Sequence, residues 1–144
     1  MQRIATCTCG QLNARCLGEP VRISVCHCLD CQRRTGSAFG VQATYREADV
    51  ILTGSPSAYT RHGDEGHWVT TYFCPTCGST AWYRIERRPG MVSVPVGGFA
   101  DPAFPEPRVS VYEQRKHPWI ELQLFEQLGD GCSFLEFAVL AVEG

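Results

Sequence analysis

Apolar and polar residues alternate with a period of two along much of the chain. Leu12, Ala14 and Cys16 fall on one face of an extended segment, as do Val21, Ile23 and Val25, and then Phe39, Val41, Ala43 and Tyr45. The same pattern predicts strands over residues 50–52, 57–61, 68–73, 81–85, 91–96 and 108–112. Turn signals rich in Gly and Pro separate them, at residues 18–20, 53–56, 61–66 and 88–90. Many short strands with such turns between them predict a mainly antiparallel β domain with at most short helices. One such helix is expected over residues 29–35, stopped by Gly36. Residues 100–107 hold Pro102, Pro105 and Pro107 and predict an ordered, non-helical crossing loop. Residues 134–142 fit a strand or a helix equally well.

Length narrows this picture. The 144 residues form one expected domain over 1–144, large enough for a hydrophobic core. Lys plus Arg is 13 and Asp plus Glu is 15, so no basic excess points to nucleic acid or an anionic membrane. The longest wholly apolar stretch, residues 137–142, is far short of the ~20 residues a spanning helix needs. Residues 1–6 contain no apolar leader core, so the expected location is the cytoplasm. There the 9 cysteines change the argument: an odd number cannot pair completely, and a reducing compartment turns clustered cysteines toward metal or redox chemistry.

Their spacing is specific. Cys7 and Cys9 form C-x-C, Cys26, Cys28 and Cys31 form C-x-C-x-x-C, and Cys74 and Cys77 form C-x-x-C, while Cys16 and Cys132 stand apart. If Cys7 and Cys9 lie in a strand, alternation points both sulfurs to one side. Cys74-Pro75-Thr76-Cys77-Gly78 reads as a zinc knuckle, with Gly78 suited to a left-handed turn. These two pairs would make a closed four-thiolate zinc site, which is a structural one. A thioredoxin-like disulfide at Cys74 and Cys77 would need a βαβ context that the pattern lacks. The middle cluster offers three thiolates, which leaves a tetrahedral position open as catalytic zinc sites do. The alternative is a second structural zinc whose fourth ligand is Cys16, Cys132, His62 or His117. His27 lies between two ligands and is expected to point away from the metal. Spacing alone does not say which pair joins which.

The order Cys7-Thr8-Cys9-Gly10, Cys26-His27-Cys28-Leu29-Asp30-Cys31-Gln32-Arg33, Thr35-Gly36 and Phe73-Cys74-Pro75-Thr76-Cys77-Gly78 resembles the glutathione-dependent formaldehyde-activating enzyme family, which includes centromere protein V. Gly97-Gly98-Phe99-Ala100-Asp101-Pro102 and His117-Pro118-Trp119 also stand where that family has similar stretches, so the resemblance covers roughly residues 5–122. Ala5 departs from the Gly that usually opens the family's first motif, which affects a turn rather than a ligand. The resemblance implies a β-tent fold with zinc knuckles and two zinc ions per chain. Cys7, Cys9, Cys74 and Cys77 would hold the structural ion, and Cys26, Cys28 and Cys31 the catalytic one.

On this resemblance the activity would be that of a zinc-dependent carbon–sulfur lyase joining glutathione to formaldehyde, as S-hydroxymethylglutathione synthase does. The partner is then a small thiol such as glutathione, with neither nucleic acid nor membrane involved, and the chain a monomer or homodimer. A third thiolate ligand already gives a zinc site net negative charge, so cations beside it should help a substrate thiolate bind. Arg33 and Arg34 follow the cluster directly; they would equally suit the C-terminal end of a short helix, where cations are favoured by about 0.3–1 kcal/mol. Asp30, His27, Tyr72 and His117 are candidate proton carriers, and Trp68, Trp82 and Trp119 candidate core or pocket-wall aromatics. The competing functional class is a non-catalytic zinc-stabilised β module for protein interaction; a redox or metal-sensing role for the open thiolates is a weaker third.

Overall fold

The computed structural model describes residues 1–63 and 65–123, together with the backbone of Glu126 and Gln127. In chain order the elements are β1 (Gln2–Thr6), β2 (Asn13–Leu17), β3 (Arg22–Cys26), α1 (Leu29–Thr35), β4 (Gly40–Arg46), β5 (Val50–Thr53), β6 (Ser57–His62), β7 (Trp68–Phe73), β8 (Thr80–Ile85), β9 (Met91–Pro95), β10 (Val109–Val111) and β11 (Glu126–Gln127). The fold is mainly β, as the alternation predicts. Contacts divide the chain into two units, the first Met1–Val21 with Ala43–Phe104, the second Arg22–Gln42 with the chain from Pro105 onward. Among the described residues no helix is long and apolar enough to cross a membrane.

In the first unit, β1, β2 and β5 form an antiparallel sheet in the order β1-β2-β5. Leu12, Ala14 and Cys16 are all buried on one face, so the period-two reading of this segment holds. β1 was not legible in that pattern, because it turns Ala5 inward and leaves Ile4 exposed. The order β9-β8-β7-β6 follows, again antiparallel. Tyr45, Trp82, Val92 and Val94 are buried in this unit. A register shift between Tyr72 and Phe73 interrupts the pairing of β7 with β8 just before Cys74, as a β-bulge does. Strand β9 stops at Pro95, where a short 3-10 turn, Val96–Phe99, replaces the last predicted strand residue.

The second unit departs from a purely antiparallel plan. β10 pairs with β3 in parallel, Val109 opposite Ser24 and Val111 opposite Cys26, and β11 continues in parallel on β10. Every residue of β3 is buried, Arg22 and Ser24 as well as Ile23 and Val25, which is the habit of strands in parallel pairing. Val21, the first residue of the predicted alternation, lies outside the strand and is exposed. The helix falls where the sequence places it. Cys28 caps its start by accepting the Cys31 N–H on sulfur, and Gly36 ends it in a left-handed conformation with its N–H on the Gln32 carbonyl at 2.9 Å. Residues 100–107 are non-helical, as expected. The ambiguous stretch 134–142 and Cys132 lie outside the described residues.

Candidate metal centres

The first unit gathers Cys7, Cys9, Cys74 and Cys77 so that all four sulfurs lie within 4.8 Å of one another. Cys7 and Cys9 reach this place by a turn rather than by strand alternation, which corrects the expectation for this pair. The Gly10 N–H bonds to the Cys7 carbonyl at 3.0 Å and the Leu12 N–H to the Cys7 sulfur at 3.2 Å. The second arm repeats this design: the Gly78 N–H meets the Cys74 carbonyl at 2.8 Å and the Cys77 N–H the Cys74 sulfur at 3.5 Å. Gly78 has the left-handed φ, +80°, that the knuckle reading requires.

These distances test the metal. Cys7 and Cys9 sulfurs are 3.7 Å apart, and Cys9 and Cys74 sulfurs 3.6 Å. A tetrahedron with zinc–sulfur bonds of about 2.3 Å has edges of about 3.8 Å, whereas a disulfide needs about 2.05 Å. The donor set therefore fits a closed metal site. Its electrostatics agree. The Ser79 hydroxyl, followed by the Ser79 and Cys9 backbone, holds the Cys77 thiol down to about 5. The Gln11 backbone favours the Cys9 thiolate, but the Cys74 thiol, burial and the other thiols outweigh it and push Cys9 up to about 11. Four sulfurs this close cannot all ionise unless a cation joins them. Two residues that spacing did not reveal, Ser79 and Gln11, support the ligands. Ser79 Oγ bonds to Thr8 Oγ1 at 2.8 Å and to Cys77 Sγ at 3.5 Å, and Gln11 Oε1 faces both Cys74 Sγ and Thr76 Oγ1.

The second unit holds the other group, Cys26, Cys28 and Cys31, again with all sulfurs within 4.8 Å. Cys26 ends β3, Cys28 caps α1 and Cys31 sits in its first turn, with the Cys31 N–H 3.3 Å from the Cys28 sulfur. Val109 and Val111 form an apolar cluster with Cys26 and Cys31, against which Cys28 and Tyr112 pack. Hydrogen bonds from Cys28 and Cys31, then burial, push the Cys26 thiol far up. At Cys31 the Cys26 bond favours the thiolate, yet Cys28, burial and the Cys28 charge leave the thiol at about 11, with Arg34 pulling it down. This trio suits a bound cation for the same reason as the first.

Among the described residues this group stops at three, with no fourth Cys, His, Asp or Glu atom in it. Of the four alternatives for a closing ligand, Cys16 and His62 belong to the first unit and Cys132 lies outside the described residues. His117 instead points its Nε2 at Gln32 Oε1, 2.9 Å away. His27 does turn away from the sulfurs, as alternation predicts: it is fully buried, with Nε2 3.0 Å from Ser110 Oγ. Burial lowers its pKa, although the Glu113 charge pulls the other way. Of the two arginines, Arg33 is largely exposed and pairs with Asp30 at 3.8 Å, whereas Arg34 acts on Cys31. Tyr72 belongs to the first unit, stacked on the buried Trp82. Trp119, read as a core or wall residue, is 71% exposed. The contacts of Gln32 leave no trace in the spacing, because its partners lie 5 and 83–85 residues away.

The family model described as glutathione-dependent formaldehyde-activating enzyme matches residues 2–115, a span that contains both cysteine groups. Among solved structures, a crystal structure of a Rhodobacter sphaeroides protein is similar, with 25% identity over 66% of this chain and 85% of that one, at a TM-score of 0.52. No curated protein gives a significant match.

Proposed function

The chain belongs to the glutathione-dependent formaldehyde-activating enzyme family, and from that premise we propose that it is a zinc-dependent carbon–sulfur lyase. In this reading it interconverts a thiol and an aldehyde with their hydroxymethyl thioether, glutathione and formaldehyde being the family's named pair. Cys7, Cys9, Cys74 and Cys77 would hold a structural zinc, and Cys26, Cys28 and Cys31 a catalytic one, two ions in a single-domain cytoplasmic chain. The observation that carries the proposal is the contrast in donor number: four sulfurs in one group, three in the other with no fourth among the described residues.

Bound zinc at the trio supplies positive charge that keeps sulfur ionised and Lewis acidity beside the reacting groups. The chain's own residues set the rest. Three ligand thiolates already exceed the charge of one dication, so a substrate thiolate brings further negative charge. Arg34, whose charge acts on Cys31, offsets part of it; Arg33 adds a weaker, solvent-screened contribution. Val109, Val111 and Tyr112 surround the sulfurs with apolar surface and limit water around them.

Cobalt substitution tests this directly. With cobalt in the trio, glutathione should change the visible spectrum saturably, and Cys28→Ser should abolish the change. Zinc-loaded protein should also accelerate formaldehyde exchange with S-hydroxymethylglutathione, followed by carbon-13 NMR, beyond the spontaneous rate. A cobalt spectrum of four protein ligands that ignores every thiol would replace the lyase by a zinc-stabilised binding module.

A further inference from the structure

Gln32 is a better guide to proton transfer than any residue with a titratable side chain of its own. Its Nε2 lies 2.8 Å from the His27 carbonyl and 3.1 Å from the Arg115 carbonyl. Carbonyls only accept, so this atom must be the amide NH2, with both hydrogens used. The other end, Oε1, is therefore an acceptor with no hydrogen to give, and it faces His117 Nε2 at 2.9 Å. His117 must then carry its proton on Nε2. In a neutral imidazole that leaves the lone pair on Nδ1.

The same contacts tie this ring to the helix that carries Cys31. Cys28 and Gln32 are four residues apart, so they occupy one face of α1 about one turn from each other. The Gln32 amide reaches back along the helix to the carbonyl of His27, between two cysteines of the trio. Val111 adds a further tie, accepting the His27 N–H at 3.1 Å. The segment from Val111 to His117 is thus docked on the cysteine loop by three hydrogen bonds. The half-buried His117 ring has Trp119 at its edge, 5.8 Å between centroids, and that indole is largely exposed. Other candidates in this unit are engaged: His27 is buried on Ser110, Asp30 pairs with Arg33, and Glu113 pairs with Lys116 at 3.1 Å.

We propose that His117 Nδ1 is the proton acceptor for a thiol substrate at the three-cysteine site, and that Gln32 is the positioning residue that fixes its tautomer. The inference rests on the lyase reading. The thiol S–H bond breaks and its proton passes to the Nδ1 lone pair. The sulfur pair forms the C–S bond to the carbonyl carbon, while the C=O π pair moves to oxygen. That oxygen takes the proton back from Nδ1, so the ring ends as it began and the sum is thiol plus aldehyde giving hydroxymethyl thioether. The reverse reaction runs the same steps backwards.

Two readouts test this on the zinc-loaded chain. Ring nitrogen-15 spectra of labelled histidine should show His117 protonated at Nε2 and bare at Nδ1, and Gln32→Met should remove that preference. A resting Nδ1–H tautomer overturns the inference whatever the activity. His117→Gln, which can still donate to Gln32, should keep its metal content and lose about a hundredfold or more in kcat with little change in KM for glutathione. His117→Ala should regain part of its rate with added imidazole, which a purely structural histidine would not. An active wild type with an equally active His117→Gln overturns this inference alone. A wild type no faster than the spontaneous reaction overturns the lyase reading and this inference with it.

Discussion

The two cysteine groups draw on different parts of the chain. The four-sulfur group joins a turn at Cys7–Cys9 to a knuckle at Cys74–Cys77, across a sequence separation of 65 between Cys9 and Cys74. The three-sulfur group comes from six consecutive residues between β3 and α1. A long-range metal clip would close a large loop, and the order of its unit would depend on it. A local one rests on elements that have other support: β3 is paired to β10, and α1 has a sulfur cap at one end and a glycine cap at the other. On the proposed roles, the difference would separate a centre that holds the fold from one that is free to exchange a ligand.

Removing one ligand from each is the strongest way to break this comparison. Structural zinc contributes about 10–16 kcal/mol in small peptides, as much as the ~5–15 kcal/mol stability of a whole domain. Cys77→Ser should therefore leave a chain without cooperative unfolding. Cys31→Ser should stay folded with one zinc fewer, as read by metal analysis and circular dichroism. Equal loss in both variants would reverse the roles assigned to the two groups.

A smaller effect separates the two regions at glycines. Gly54 has φ +102°, and an added Cβ would sit 2.4 Å from the Gln11 carbonyl oxygen and 2.6 Å from Leu12 Cδ2. Gln11 is the residue whose side chain supports Cys74 and Thr76. Strain and overlap together should make Gly54→Ala cost about 2–5 kcal/mol and loosen the four-sulfur metal. Gly36 is also left-handed, at +65°, but nothing lies within 4 Å of its added Cβ. Gly36→Ala should cost only about 1 kcal/mol, seen as a modest shift in urea midpoint with both metals retained.

Alkaline pH offers a third separation, through a cysteine outside both groups. Cys16 is fully buried in the first unit, and burial pushes its thiol up from 9.0 to about 11 despite the Arg3 charge. The native state thus keeps a proton that the unfolded chain has already lost. Its contribution is complete below pH 9.0, declines as pH rises and levels off beyond about 11, a total near 3 kcal/mol. Cys16→Ala should flatten that limb of the stability profile. Hydrogen exchange should locate the loosening in the first unit, because every described cysteine of the second belongs to its metal group.

What was legible in the sequence follows the same division between local and distant. Ligand spacing in Cys74–Cys77 and Cys26–Cys31 is local chemistry, and the helix over Leu29–Thr35 announces its own end at Gly36. The alternation of Leu12, Ala14 and Cys16 shows directly because one face of β2 is buried and the other is not. Long-range placements left no such trace. Parallel pairing of β10 with β3 needs no turn signal, and the contact of Gln32 with His117 depends on it. β1 was hidden because its one branched aliphatic residue, Ile4, faces outward, and the Cys7–Cys9 pair passed for a strand because a tight turn and an alternation both bring such sulfurs to one side.

The smallest predicted effect concerns the two arginines at the end of α1, which sequence treats alike. Arg34 lies close enough to the start of β4 that a Cβ on Gly40 would stand 3.0 Å from its Nη2 and 3.6 Å from Cys31 Cβ. Its guanidinium is thus held beside the ligand whose charge it stabilises. Arg33 stands in water at 77% exposure, where an ion pair at 3.8 Å contributes at most about 1 kcal/mol and is screened by salt. Glutathione titrations of the cobalt-loaded chain should show Arg34→Ala weaker by about five- to tenfold, or about 1 kcal/mol. Arg34→Lys should recover part of that affinity, because charge rather than fork geometry is the quantity needed. Arg33→Ala should change the affinity by less than about twofold, and less still in high salt. If the two alanine variants weaken binding equally, the charge at this site is a property of the helix end as a whole and not of Arg34.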